Sequence, residues 1–544
     1  MRRPAWPGLL LVFLTLASAS ADEPDYANGV VASAHPVATE AGLSVLRSGG
    51  NAFDAAVAVA ATLNVVEPMM SGMGGYGTIM VYAAADGAPL YLDASGKIPA
   101  GVDPDAYRAP TPNYKENRVG AKAVSTPGAT HAWEAMHTRY GTRPWAELLQ
   151  PAIRAAEDGF VLDERIAGFI ADAYGEFPDH ARSIFGRDGV PLPAGERLVQ
   201  RELANTLRIL AKQGPAAIYG GELGKAIDDA MQSAGGFLAM ADLEAHVAEW
   251  WTPLHLEYRG HDVYTPSAPA GAFPMLERLG MMDLAASRGM GHNSLAYLHT
   301  FAEITKMAYW DRLAYSGDPD VQPPPYERLL SRDYWQQRVD SIDPQRARDF
   351  DYSGIVSANS ANTTHFVVAD KWGNVVSAQV TLGGLFGAKI MPAGTGFWLN
   401  NSLRYCTFEP AGNPMDAHPG RRKLSSDAPA IIFRDGRPVI AIGTPGGHTI
   451  TQAIAQMIMN MLDHGMSVND AIAAPRIAFL EPNTLIVEEA IPQAIRDRLA
   501  AMGHQLQVGT IGNANGLAIE YGEDGSPRFT GATDPRGAGL ASGL

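Results

Sequence analysis

The chain has one cysteine, Cys406, in 544 residues. A lone thiol closes no disulfide within the chain, which excludes a disulfide scaffold, and it leaves no cysteine pair for a structural zinc. Positive charge is also scarce. Lys and Arg number 42 against 58 Asp and Glu, a formal net charge of −16. That balance argues against the basic face needed to bind nucleic acid. Long apolar runs are missing too. The run at residues 9–16 is far shorter than the roughly 20 residues that span a bilayer.

What is present is globular composition, 46% hydrophobic and 18% charged, with glycine and proline spread along the chain. A disordered chain needs more charge and fewer apolar residues. Met1-Arg2-Arg3 is positive, an apolar stretch follows, and Ala19-Ser20-Ala21 is a small-x-small cleavage site. This reads as a secretory signal peptide over 1–21, with a short membrane anchor as the alternative. The expected location is periplasmic or secreted, with no membrane span after signal cleavage.

Patterning places helices within 40–66, broken at Gly49-Gly50-Asn51, and again at 295–313 and 449–462. Residues 364–370 alternate and are β-branched. Lys371-Trp372-Gly373-Asn374 is a turn, and 375–382 reads as a second strand. A further hairpin surrounds Arg434-Asp435-Gly436. Strand pairs followed by helices give α+β layers.

Several motifs fail on context. Gly72-Met73-Gly74-Gly75-Tyr76-Gly77 fits G-x-G-x-x-G, but it follows a helix and precedes a strand, the reverse of a dinucleotide site. The fourteen histidines show no H-E-x-x-H spacing, and no G-x-S-x-G elbow occurs. Cys406 reads as a small buried hydrophobe before it reads as a nucleophile. No metal or organic cofactor is called for.

Asn362-Thr363-Thr364-His365 carries more chemistry. A threonine hydroxyl needs an adjacent base, and at a chain terminus its own α-amine can serve. That amine has a pKa of about 7.7–8.0, near working pH. Thr363 becomes a terminus only if the Asn362–Thr363 bond is cut; otherwise the residues simply begin a strand. Pro445-Gly446-Gly447-His448 lies between a strand and a helix, where successive N–H groups can hold an oxyanion or merely cap the helix. Ser425-Ser426 adds two hydroxyls in a turn.

Together these stretches resemble the γ-glutamyltransferase (glutathione hydrolase) family of N-terminal-nucleophile hydrolases. Further matches are Val65-Val66-Glu67-Pro68, Ser125-Thr126-Pro127-Gly128, Gly394-Thr395-Gly396, Asn400-Asn401 and Ala474-Pro475-Arg476. The resemblance implies a four-layer αββα sandwich built from two subunits cut from one precursor. The large subunit would be 22–362 and the small, catalytic one 363–544, both forming one domain. It implies Thr363 as nucleophile for self-cleavage at Asn362–Thr363 and for the acyl-enzyme. Thr381 would support that hydroxyl, Gly446 and Gly447 would form the oxyanion hole, and Ser425 and Ser426 would hold the α-carboxylate of a γ-glutamyl group.

Four positions depart from the family pattern. Ser95 stands where an arginine that clamps the α-carboxylate is expected, and Gly383 where an asparagine is expected. Ser402 and Tyr405 replace a glutamine or glutamate and the aspartate that binds the substrate α-amino group. Arg404, beside Tyr405, either faces solvent or supplies a positive charge. The leading expectation is an amidohydrolase or acyltransferase on γ-glutamyl amides such as glutathione. The first alternative is an acylase on monoamides of dicarboxylic acids, glutaryl-type, because an ammonium without a counter-charge is costly to bury. A non-catalytic binding protein on the same scaffold is the alternative of another class.

Overall fold

The computed structural model describes residues 25–108, 116–350 and 362–544. The signal peptide expected over 1–21 lies outside them. Thirteen strands build two large sheets. Before residue 362 they are β1 (Gly29–Ser33), β2 (Tyr76–Tyr82), β3 (Pro89–Ala94), β4 (Glu249–Trp251), β5 (Leu254–Tyr258) and β6 (His261–Thr265). From there on they are β7 (Asn362–Asp370), β8 (Val375–Gly383), β9 (Ala430–Arg434), β10 (Arg437–Gly443), β11 (Asn515–Tyr521), β12 (Pro527–Thr533) and β13 (Leu540–Gly543). The first sheet runs β13-β1-β7-β8-β2-β3-β4 and the second β12-β11-β10-β9-β6-β5. Every pairing within both sheets is antiparallel.

Helices α1 (Pro36–Arg47), α2 (Ala52–Val66) and α3 (Glu164–Ala173) cover the first sheet; α4 (Phe273–Leu284), α5 (Leu295–Tyr315) and α6 (Ile450–Leu462) cover the second. Three apolar clusters mark the three interfaces between layers. Phe366 and Val368 of β7 join the outer cluster with α2, while Val367 and Ala369 face Ile431 and Phe433 of the opposite sheet. Ile432 and Ile442 point the other way, onto Ile304 and Ile454. Period-two alternation with both faces buried explains why these strands are apolar at nearly every position. The fold is the expected α+β sandwich, helix–sheet–sheet–helix.

Both sheets mix strands from either side of residue 362. β7 and β8 lie between β1 and β2, and β9 pairs with β6. A cut at that residue would leave two interleaved pieces sharing every core. Among the described residues no helix is long and apolar enough to cross a membrane.

Helix and strand positions agree closely with the sequence patterns. The break at Gly49-Gly50 separates α1 from α2. Asn51 caps α2 through the N–H groups of Phe53 and Asp54, and Asp54 returns a bond to the Asn51 N–H. The glycine run from Gly72 bridges α2 to β2 as a packing device. A Cβ on Gly74 would run into the Trp398 carbonyl oxygen, and one on Gly75 would lie 2.5 Å from that of Thr381. The run thus forms the bed on which the end of β8 rests.

Candidate active site

β7 begins at Asn362 and its register against β8 slips between Asn362 and Thr364. Such a bulge re-aims a side chain at a strand end. Thr363, buried, is the residue displaced. Its Oγ1 lies 2.8 Å from the Asn362 carbonyl oxygen and 3.0 Å from Thr381 Oγ1, two acceptors for one proton. Thr381 Oγ1 donates to the same Asn362 oxygen at 2.8 Å and accepts from the Gly383 N–H at 2.8 Å. A hydroxyl that accepts a bond while donating one is a stronger donor. The Asn362 carbonyl is therefore polarised beside a hydroxyl able to attack it.

No imidazole or carboxylate among the described residues bonds Thr363 Oγ1. His365, two residues on, faces the second sheet under Gly443, and its Nε2 bonds Ser377 Oγ at 2.9 Å. Burial pushes its pKa down to about 3, so it stays neutral. Thr364 faces the helix layer and donates to Glu67 Oε2 at 2.9 Å. Cys406 is buried with Tyr107 and Phe408, and burial pushes its pKa up to about 12. As a thiol at neutral pH it is a poor nucleophile.

Gly446 and Gly447 both have positive φ, +143° and +58°, at the end of β10 and before α6. Gly446 lines a cavity of about 340 Å³ together with Thr363. From there a chain of contacts runs through the remaining positions. Thr381 pairs with Tyr76 across the β8–β2 ladder. Tyr405 lies beside Tyr76 and, after burial, helps to raise its pKa. The Tyr405 ring lies 6.2 Å from that of His448, next after Gly447, and His448 in turn lies 5.8 Å from Tyr309. The Arg312 guanidinium stacks 5.5 Å from Tyr309 and donates to Ser426 Oγ at 3.3 Å. Ser425 Oγ accepts from the Asp427 N–H at 3.1 Å. Successive contacts thus link Thr381 and the Gly-Gly turn, through Tyr405, Tyr309 and Arg312, to the Ser425-Ser426 turn.

The other singled-out positions are held by local structure. Gly383 has φ +93°, where a side chain would be strained, and a Cβ there would lie 2.5 Å from Asn401 Oδ1. Arg404 is half-buried and packs over Gly384 rather than standing clear in solvent. Ser402 is buried against the Ser125 hydroxyl. The Ser95 N–H donates to Asp93 Oδ1 at 3.0 Å.

Two cations escaped notice in the sequence. Arg312 lies on α5, a helix the sequence pattern shows without giving this arginine a role. Lys423, two residues before Ser425, is 1% exposed. Its Nζ sits 3.5 Å from the Tyr76 ring centroid, and among the described residues it has no hydrogen-bond partner. Desolvation pushes its pKa down to about 8, against the pull of Asp427 and Asp93. Desolvation likewise pushes Asp427 up to about 6, opposed by its bond to Ser425 and by Lys423.

Away from this site, His299, Glu303 and His504 have the spacing of a metal cluster. Their valences are already used. His299 bonds His504 at 2.9 Å and the Asp343 carbonyl at 2.8 Å, and Glu303 is paired with Lys306 at 2.8 Å.

A strand-terminal threonine against a second threonine and a Gly-Gly turn, within an αββα sandwich, defines an enzyme of the N-terminal-nucleophile hydrolase class. Residues 38–544 match the gamma-glutamyltranspeptidase family model, and the chain belongs to that family. It is 37% identical to an acylase ACY 1 proenzyme of Pseudomonas sp. (strain SE83), covering 93% of this chain and 91% of that one. It is 34% identical to a glutathione hydrolase proenzyme of Bacillus subtilis (strain 168), over 95% and 92%. The cephalosporin acylase of Bacillus halodurans superposes with a TM-score of 0.86 at 28% identity, over 99% of both chains.

Proposed function

We propose that the exported chain cuts itself at Asn362–Thr363 and then works as an amidohydrolase through a Thr363 acyl-enzyme. In the first step Thr363 Oγ1 attacks the Asn362 carbonyl carbon, which Thr381 polarises. The C–N bond breaks, the proton passes to the departing amine, and water opens the ester. The freed α-amine is then the base that Thr363 lacks in the uncut chain. In turnover it takes the hydroxyl proton as Oγ1 attacks the substrate amide and returns it to the leaving nitrogen. The Gly446 and Gly447 N–H groups hold the oxyanion.

The acyl group we assign ends in a carboxylate and carries no α-amino group, as in a glutaryl amide. The supporting observation is the Arg312–Ser426 contact, joined through Tyr309 and His448 to a tyrosine, Tyr405. That arrangement offers cation and hydroxyl to a carboxylate, with no carboxylate at position 405 to receive an ammonium. Asp427, the nearest acid in sequence, is buried beside Lys423 and linked to Ser425. The resemblance in sequence to an acylase proenzyme points the same way. A γ-glutamyl amide remains the family's other substrate class.

Two measurements test this. Denaturing electrophoresis of the purified protein is expected to show two fragments meeting at residue 362, and one chain for Thr363→Ala; an uncut wild type sinks the reading. Glutaryl and γ-glutamyl 4-nitroanilides are then compared. The glutaryl compound is expected to be released faster, and preference for γ-glutamyl assigns the second substrate class instead.

A further inference from the structure

The cavity of about 340 Å³ beside Thr363 shares none of its walls with the acyl-head neighbourhood. Thr363, Gly446 and Asn362 line it, but Ser425, Ser426, Arg312 and Tyr405 do not. At an acyl-transfer centre the carbonyl sits at the nucleophile, with the acyl chain on one side and the leaving amine on the other. With the acyl head on the serine side, the cavity is left for the amine.

Its walls have a definite chemistry. Arg165 and Phe169 stand four residues apart on α3, and so share one face of the helix. The guanidinium lies 5.9 Å from the ring centroid. One Arg165 Nη donates to Glu67 Oε1 at 2.8 Å, while its Nε–H is buried without an acceptor among the described residues. The other Glu67 oxygen accepts from Thr364 at 2.9 Å. Two bonds through Glu67 therefore fix Arg165 relative to the residue next to the nucleophile. Phe169, Ile486 and Ile511 supply apolar wall. Arg536, also on the wall, is already engaged by Glu488 and Asp534.

We infer that this cavity receives the leaving group and that Arg165 selects amines which themselves bear a carboxylate, such as amino acids, peptides or carboxylated ring amines. The planar fork of arginine suits a carboxylate, and the half-buried setting strengthens that bond relative to water. Glu67 is a positioning residue: it holds the guanidinium at the cavity wall through one Nη. The inference rests on Thr363 being the nucleophile, as proposed above.

The test uses two substrates with the same acyl group, a 4-nitroanilide and a 3-carboxy-4-nitroanilide, and the matured enzyme. The readout is the ratio of their kcat/KM values. Arg165→Gln is expected to lower the carboxylated-to-plain ratio about tenfold. Arg165→Lys, which keeps Glu67 paired, is expected to lower it about threefold and carries the test if the glutamine variant does not fold. An unchanged ratio in an active lysine variant overturns the inference alone. A fall in kcat/KM that instead tracks a carboxylate on the acyl group would place Arg165 on the acyl side and overturn it as well. A wild type that is uncut and inactive on both substrates fails the nucleophile reading, and the inference falls with it.

Discussion

Thr381 Oγ1 donates to the Asn362 carbonyl oxygen at 2.8 Å, across the hairpin that carries Thr363, the proposed nucleophile, on its other arm. One hydroxyl thus touches both the bond proposed to be cut and the group proposed to cut it, since Thr363 Oγ1 lies 3.0 Å away. Removing that donor should act like removing one oxyanion donor, which costs about 10²-fold or more in rate. Thr381→Val is expected to slow fragment appearance by about that factor, with Thr381→Ser retaining most of the rate. A time course on denaturing gels measures both. Equal rates for valine and wild type would remove Thr381 from the cleavage step.

On the proposed reading, Tyr405 decides what the acyl head can carry. A charge-assisted hydrogen bond is worth about 1.5–3 kcal/mol, or roughly tenfold and upward in selectivity. Tyr405→Asp supplies a partner for an ammonium and sets a negative charge among groups that now favour a carboxylate. It is expected to raise the γ-glutamyl-to-glutaryl ratio of kcat/KM by about tenfold. A ratio that does not move would place the acyl head elsewhere.

The hairpin of β7 and β8 was legible because its residues alternate around an unmistakable turn, and α1 and α2 because Gly49-Gly50 separates two apolar stretches. Strands β4 to β6 were not. Leu254-His255-Leu256-Glu257 alternates, but β5 is an edge strand with a wet face and carries no long apolar run. The Asn362-Thr363 step and the Gly446-Gly447 turn could be picked out because they are short motifs. Lys423 could not, because Arg421-Arg422-Lys423 reads as a solvated charge run. In the fold Arg421 is exposed, Arg422 is tied to Glu249, Asp318 and Asp320, and only Lys423 turns inward. Burial of the third charge follows from the bridge between Lys97 and Arg422, a contact over three hundred residues that no local pattern encodes.

Cys406 tests the packing around these positions. It is 3% exposed among Tyr107, Leu403 and Phe408, and burial holds its proton. Iodoacetamide is expected to leave the native protein unmodified at pH 7.5 and to label one thiol after denaturation, as read by intact mass. Labelling of the native protein at a rate near that of a free thiol would contradict this burial.

Lys423 and Asp427 make stability depend on pH in opposite senses. The folded pKa of Lys423, about 8, lies below the ordinary value of 10.5. Between those limits the unfolded chain binds a proton that the folded chain does not, so stability rises with pH. The folded pKa of Asp427, about 6, lies above its ordinary 3.8. Between those limits the folded chain binds the extra proton, so stability falls as pH rises from about 4 to 6. Lys423→Met deletes the first effect and leaves Asp427 without its cation. Raising the pH from 7.5 to 10 should therefore improve the melting temperature of wild type relative to Lys423→Met. The difference between their melting temperatures reads the lysine together with its pull on Asp427. A difference that stays constant over that range would mean that Lys423 keeps its ordinary pKa and reaches water.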